Sequence, residues 1–366
     1  MKTLSPRTSR TLMSSLHPNY LERLRFHPHH ARALVSLGKR LGTQGLYVAQ
    51  KPAVLDTLRQ TAIIASTISS NRLEGIEVEE ERIGELMQPM ARPRTRSEQE
   101  VAGYRQALEL IHDSYEHMPI RATTLLQLHK LLYRYHPATG GRFKANNNTI
   151  VEVSPDGARR IRFQPTSALA TPAAIETMCA RFLDARQDER YEALVLAPLL
   201  ILDFLCIHPF GDGNGRISRL LTLLLLYQAG HEVGRYISLE RITEDTKLGY
   251  YEALEQSSKG WHEGEHDVLP WLEYFWGVLE AAYAEFEERV EALLDASLTK
   301  AERVELIALS YTMPFKLADL RERLVDVSDA TITKALRDMK ARGLLALNGK
   351  GRGASWEIIA RPDEET

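Results

Sequence analysis

His208-Pro209-Phe210-Gly211-Asp212-Gly213-Asn214-Gly215-Arg216-Ile217-Ser218-Arg219 joins two apolar runs, Ala193 to Ile207 and Leu220 to Tyr227. Both runs are rich in Leu and Ala, longer than a typical strand, and suit buried helices. Pro209, Gly211, Gly213 and Gly215 make the sharp turn between them sterically accessible. Small glycines also leave backbone N–H groups uncovered where the second helix begins, and that end of a helix attracts anions. Arg216 and Arg219, three apart in the first turn, are expected on one face beside the same anion. Two arginines oppose the macrodipole there, an arrangement that a polyphosphate neutralises. His208 adds a base of the type that titrates near neutrality, and Asp212 a hard oxygen ligand suited to magnesium.

Other loop chemistries fail at specific positions. A P-loop needs Gly-Lys-Ser/Thr after its last glycine, and here Arg216 follows Gly215. A calcium EF-hand loop starting at Asp212 puts Arg216 and Leu223 where oxygen ligands belong. A plain glycine turn with His208 as a cap explains neither the paired arginines nor Asn214.

The stretch resembles, residue for residue, the Fic family motif His-Pro-Phe-x-(Asp/Glu)-Gly-Asn-(Gly/Lys)-Arg-x-x-Arg. That resemblance implies an all-helical Fic core transferring AMP from ATP to a hydroxyl side chain of a target protein, itself among the targets. It makes His208 the general base and Asp212 the Mg²⁺ ligand. Gly211, Gly213, Asn214 and Gly215 become phosphate binders, with Arg216 and Arg219 clamping the outer phosphates. Gly215 stands where the phosphate-transferring, Doc-like branch carries Lys, which favours AMP transfer.

Upstream, Leu58, Ala62, Ala65 and Ile68 recur at helical spacing, predicting a helix from Asp56 to Glu74 with Gly75 as its stop. Ser70 and Glu74 share a face, and a carboxylate at a helix C-terminus lies on the wrong side of the dipole unless a cation offsets it. Ser70-Asn71-Arg72-Leu73-Glu74-Gly75 resembles the (Ser/Thr)-x-x-x-Glu-(Gly/Asn) helix that obstructs the nucleotide site in one branch of the family. By that resemblance Glu74 pairs with Arg219 and is inhibitory; read plainly, it is a solvent-facing carboxylate. The stretch from Glu77 to Arg94 reads as a charged connector. Beyond it Tyr104, Ala107, Leu108 and Ile111 mark a further helix, and Leu125, Leu128, Leu131 and Leu132 another.

Thr149-Ile150-Val151-Glu152-Val153 and Ile161-Arg162-Phe163 flank Ser154-Pro155-Asp156-Gly157 and predict a β-hairpin. A lone hairpin has a free edge for an extended segment, and it resembles the Fic flap that docks target backbone through residues such as Thr149, Ile150 and Val151. The alternative is a hairpin with only a packing role. Past the central motif, Leu248 to Leu254 resembles the family's tail, where a tyrosine meets adenine; Tyr250 and Tyr251 both qualify.

The 366 residues suffice for two or three domains, expected as 1–95, 96–290 and 291–366. The net charge of −3 leaves any nucleic-acid contact to a local basic patch. No apolar run reaches membrane-spanning length, and no signal segment is present. Cys179 and Cys206 fit no metal or disulfide spacing, so a cytoplasmic protein is expected. Phe26-His27-Pro28-His29-His30 offers metal binding as one reading, but Pro28 and the missing downstream partners favour an exposed surface cluster.

The last seventy or so residues hold three amphipathic segments, Ala301 to Tyr311 first, then two strands bracketing Asn348-Gly349-Lys350-Gly351-Arg352-Gly353. This order resembles a winged helix-turn-helix. Lys334, Arg337, Lys350 and Arg352 suit DNA phosphates, and protein contact or dimerisation is the other use. The expected fold class is therefore mainly α: a Fic core with a hairpin flap and a C-terminal winged helix, the expected partners being a target protein, DNA and a second copy. AMP transfer leads the functional readings. An ATP-sensing transcriptional regulator, or the reverse removal of AMP, stands beside it.

Overall fold

A computed structural model of the chain describes residues 14–50, 52–88, 92–136, 139–153, 159–294, 299–309, 311, 313–349 and 354–360. The first helices are α1 (Pro18–Leu21), α2 (Pro28–Gln50), α3 (Pro52–Arg72) and α4 (Glu80–Leu86). Next come α5 (Arg96–Ser114), α6 (Ala122–Leu132) and a hairpin of β1 (Ile150–Val153) and β2 (Arg159–Phe163). Then follow α7 (Thr171–Arg186), α8 (Ala193–Ile207), α9 (Asn214–Gln228), α10 (Leu239–Asp245), α11 (Lys247–Ser258) and α12 (Leu269–Leu294). The tail holds α13 (Lys300–Leu309), α14 (Leu317–Arg323), α15 (Asp329–Ala341) and a second hairpin, β3 (Leu345–Asn348) with β4 (Ser355–Ile358).

The protein is mainly helical, as its composition of periodic segments predicts. One hydrophobic cluster runs from Leu16 to Val290, and another from Val304 to Trp356. Leu16, Leu37 and Leu58 belong to the first, so the N-terminal helices share the core of the central ones. The charged stretch before residue 95 is not only a connector: Ile83 and Leu86 are buried and fold it into α4. A second hairpin, β3–β4, stands in the tail where two strands are expected. Phe315 extends that second hairpin by a backbone bridge to Trp356.

The axis of the core is α8, buried on every side, which explains its unbroken apolar sequence. Pro198 inside it cannot donate to Leu194 O, and the indole Nε1 of Trp276 donates to that carbonyl instead, at 2.8 Å. Asp203 is the polar exception. Its carboxylate accepts from Ser15 N, Ser15 Oγ, Leu16 N and Trp261 Nε1 and so ties the start of the described chain to α8. Burial pushes its pKa up, and these donors oppose that rise.

Gly103 lets α5 lie against α6: a Cβ at that position would sit 2.1 Å from Leu132 O. Gly103→Ala is therefore expected to destabilise by about 1–3 kcal/mol, as overpacking does, read as a lower urea midpoint. Gly42→Ala on α2, where a Cβ meets nothing within 4 Å, is the control and should not lower it. Equal midpoints for the two variants would show that α5 and α6 separate freely.

Candidate active site

His208 follows α8 with φ 51° and ψ 62°, the only non-glycine residue of positive φ among those described. Such a left-handed residue is strained and needs surrounding structure to hold it. Lys144 supplies much of that: its N–H donates to Pro209 O at 2.9 Å, and its Nζ to Ile207 O at 3.0 Å and Asn148 Oδ1 at 2.8 Å. Asn148 Nδ2 in turn donates to Phe210 O at 3.1 Å, and the Phe210 ring stacks on His129 at 3.8 Å. Burial pulls the Lys144 ammonium down to about 8.

The Nδ1 of His208 lies 3.3 Å from Leu205 O, an acceptor, so the proton belongs on Nδ1 and Nε2 keeps its lone pair. Burial, with the Lys144 and Arg162 charges adding to it, pushes the imidazole down to about 4. The ring is thus neutral and able to accept a proton through the whole physiological range.

The two arginines of α9 do not stay together as their spacing suggests. Arg216 turns into the core, where its Nη1 meets Glu100 Oε2 at 2.6 Å and its Nη2 meets the Tyr133 hydroxyl at 2.8 Å. Arg219 turns to the end of α3, donating to Ser70 Oγ at 2.8 Å, Ser70 O at 2.7 Å and Glu74 Oε1 at 2.7 Å. Burial works against the Arg219 charge, yet Glu74 holds its pKa above the ordinary value. Same-face spacing is overridden because each guanidinium follows a different carboxylate.

Asn214 also departs from expectation. Its Oδ1 accepts from Phe210 N and its Nδ2 donates to Phe210 O, both at 2.9 Å, so this amide shapes the loop from within. From the loop, the α9 ladder begins with Ile217 N donating to Gly213 O, which leaves the amides of residues 214–216 ahead of it. Over them sits Glu74: a Cβ built on Gly215 would lie 2.1 Å from Glu74 Oε1. The Glu74 carboxylate thus lies beside the first turn of α9, the end of a helix that suits an anion. Asp212 is more than half exposed, and its Oδ1 accepts from Gly213 N at 2.6 Å.

Glu74, His208, Gly215, Arg219, Tyr250 and Tyr251 all border one cavity of about 510 Å³, with Ile150 and Val151 of β1 at its side. Arg216 and Asn214 do not line it. Tyr250 packs edge-on against Tyr251 at 5.1 Å, and the Tyr251 hydroxyl donates to Leu73 O at 3.4 Å, so both tyrosines belong to the site. In the hairpin Val151 pairs with Ile161 and both are exposed; Thr149 is exposed just before β1. The expected turn at 155–157 lies outside the described residues.

Sequence reasoning missed Glu100, Tyr133, Asn71, Lys144 and Asn148. Glu100 had a signal: it falls four residues before Tyr104, on the apolar stripe of α5, where a lone carboxylate needs a partner. The histidine cluster was also misjudged, because its partner is distant in sequence. His29 and His30 both reach Glu273 Oε1 on α12, at 3.1 and 2.7 Å, and His30 is buried. His30 Nδ1 accepts from His27 N at 3.0 Å, so Nε2 carries the proton toward Glu273; this is a hydrogen-bonded clasp between α2 and α12. In the tail, Lys334 and Arg337 are exposed on α15, while Lys350 and Arg352 lie outside the described residues. No helix among the described residues is long and apolar enough to cross a membrane.

The His208 environment can be read directly. Followed by imidazole NMR shifts, His208 is expected to stay neutral between about pH 5.5 and 8, whereas an unperturbed histidine titrates near 6.5. Half-protonation of His208 near 6.5 would show that the described burial and neighbouring charges do not act on it.

Residues 119–226 match the model described as "Fic/DOC family". The chain is 27% identical over 177 residues to the protein adenylyltransferase Fic of Drosophila ananassae, covering 48% of this chain and 31% of that protein. Against the same-named protein of Drosophila melanogaster the identity is 26% over 177 residues, with the same coverage. The chain thus spans about a third of the length of these curated relatives. In fold it is similar to a Fic family protein from Desulfovibrio desulfuricans G20, with TM-score 0.61 and 18% identity over 93% of this chain and 98% of that one. It is similar also to Fic-1 from C. elegans, with TM-score 0.55 and 19% identity over 72% of this chain and 73% of that one. The loop that holds His208, Gly215 and Arg219 lies inside the matched segment, and this chain carries a Fic/DOC family domain.

Proposed function

We propose that the chain is an ATP-dependent protein adenylyltransferase held at rest by Glu74. One observation carries this reading. A carboxylate is seated on Arg219 and over Gly215, at a helix N-terminus suited to phosphate, in the same cavity as a neutral histidine. Names of the curated relatives support the reaction class.

In this reading a Tyr, Ser or Thr hydroxyl of a target, aligned by the β1–β2 edge, attacks the α-phosphorus of ATP. The new O–P bond forms as the bond to pyrophosphate breaks, and the hydroxyl proton passes to Nε2 of His208. The amides at the start of α9 and Arg219 stabilise phosphate charge. Asp212 would hold Mg²⁺: its carboxylate is exposed at the loop rim, and Gly213 N engages only one of its oxygens. A bound Mg²⁺ neutralises phosphate charge. Glu74 must release Arg219 before the outer phosphates reach it.

The tail supports a second, compatible role. Lys334, Arg337 and Lys340 are all exposed on α15, a helix that follows two others and precedes a hairpin in winged-helix order. We propose that this face contacts duplex DNA. In the full chain Lys334→Ala and Arg337→Ala should each weaken DNA binding and flatten its salt dependence. Binding that ignores both substitutions would leave the tail a protein-contact module. If nucleotide sensing were the main role, nucleotide-dependent DNA binding would survive His208→Ala.

ATP-dependent labelling of the protein and of lysate targets, read by intact mass, tests the main reading. Glu74→Gly should raise labelling roughly 10- to 100-fold, from the loss of one charge-assisted contact of about 1–3 kcal/mol. Arg219→Ala should not share the gain, because the phosphate clamp leaves with the lock, and the double variant should match Arg219→Ala. His208→Ala in the Glu74→Gly background should lower labelling by about 10²–10⁴. Equal labelling of wild type and Glu74→Gly removes the inhibitory role, and persistence in the His208 variant removes the base.

A further inference from the structure

We propose that Arg162, on β2, is a further nucleotide-phosphate-binding residue of the cavity shared by His208 and Arg219. The proposal rests on the adenylyl-transfer reading and adds a cation that the central motif does not contain.

Strand alternation sets its direction. Arg160 and Arg162 share one face of β2, and Arg160, itself largely exposed, meets Glu255 on α11 at 3.0 Å. Ile161 points to the opposite, exposed face. Arg162 thus enters the cavity from the hairpin side, while Arg219 enters it from α9. Its guanidinium lies 5.5 Å over the Tyr251 ring. Tyr251 in turn bonds Leu73 O, one residue before Glu74, so Arg162 belongs to the nucleotide-facing wall and not to the outer edge of the flap.

Among the described residues the charge there has no carboxylate partner, and one of its donors is buried. Arg162 Nε is buried with no hydrogen-bond partner, and the guanidinium forms no ion pair among the described residues. Nearby carboxylates are engaged elsewhere: Glu74 with Arg219, and Glu255 with Arg160 and with Lys259 at 3.8 Å. Glu252, on the same wall, is exposed and makes no ion pair with it. A half-buried guanidinium without an acceptor is unfavourable and is matched by an anionic ligand. Its planar donors suit phosphate oxygens, and its positive charge already depresses the basicity of His208 across the cavity.

The test uses the full chain with Glu74→Gly as parent, so that the anion position is free. ATP and adenosine binding are measured by calorimetry for the parent and for Arg162→Met. Arg162→Met is expected to weaken ATP binding about tenfold or more, the size of one lost charge-assisted contact, while adenosine binding stays within twofold. Arg162→Gln should show the same selective loss and stands in should the Met variant misfold. ATP affinity within twofold of the parent, with target labelling alone reduced, overturns the proposal in favour of a target-docking arginine. Equal loss of ATP and adenosine also overturns it, since packing on Tyr251 would then be the cause. A parent that binds no ATP at all overturns the adenylyl-transfer reading itself, a result distinct from either of these.

Discussion

Two positive charges in the first turns of one helix, where the macrodipole is also positive, have to be answered by carboxylates. The fold answers them in two unlike ways. Arg216 meets Glu100 where both side chains are nearly inaccessible, and Tyr133 and Asn71 complete the set. That pair is part of the core, since removing either partner would leave a buried charge alone. Arg219 meets Glu74, whose side chain is about one-third exposed and sits past the end of α3. In the proposed adenylyl transfer a phosphate would replace such a partner without opening the core. Permanence and exchange are thus divided between residues three positions apart.

The exchangeable carboxylate is still held in register. A buried polar chain runs from Ser66 Oγ to Ser238 Oγ at 2.9 Å, and Glu240 joins Ser238 to the Tyr104 hydroxyl. Helix α3 is therefore fastened to α10 and α5 a full turn before Ser70. Asn71, buried and accepting from Arg216 Nη1, carries that fastening into the last turn of α3, so motion that frees Arg219 need involve only Glu74 and the turn at Gly75. Rigid helix and releasable tip follow from where the polar partners stop.

Much of this was legible in the sequence. Helix periods, the glycine turn and the hairpin runs have strong local signals, and the mainly helical fold follows from them. The opposite directions of Arg216 and Arg219 were not legible, because they depend on Glu100 and Glu74, each over a hundred residues away. Asn214 misled for a related reason: an amide beside a phosphate loop suits both ligand and backbone, and Phe210 claims it here. The histidine cluster needed Glu273, some 243 positions distant, to become a clasp. Local pattern places elements; polar side chains choose partners only after those elements have packed.

Gly215 ties two distant positions into one evolutionary unit. With Glu74 Oε1 only 2.1 Å from where a Cβ would stand, any side chain at 215 collides with the seated carboxylate. A side chain at 215 displaces the Glu74 carboxylate, the far end of a flexible side chain, so the residue at 215 and the seat of Glu74 change together. A single missing methyl thus makes the history of one residue contingent on another 141 positions earlier.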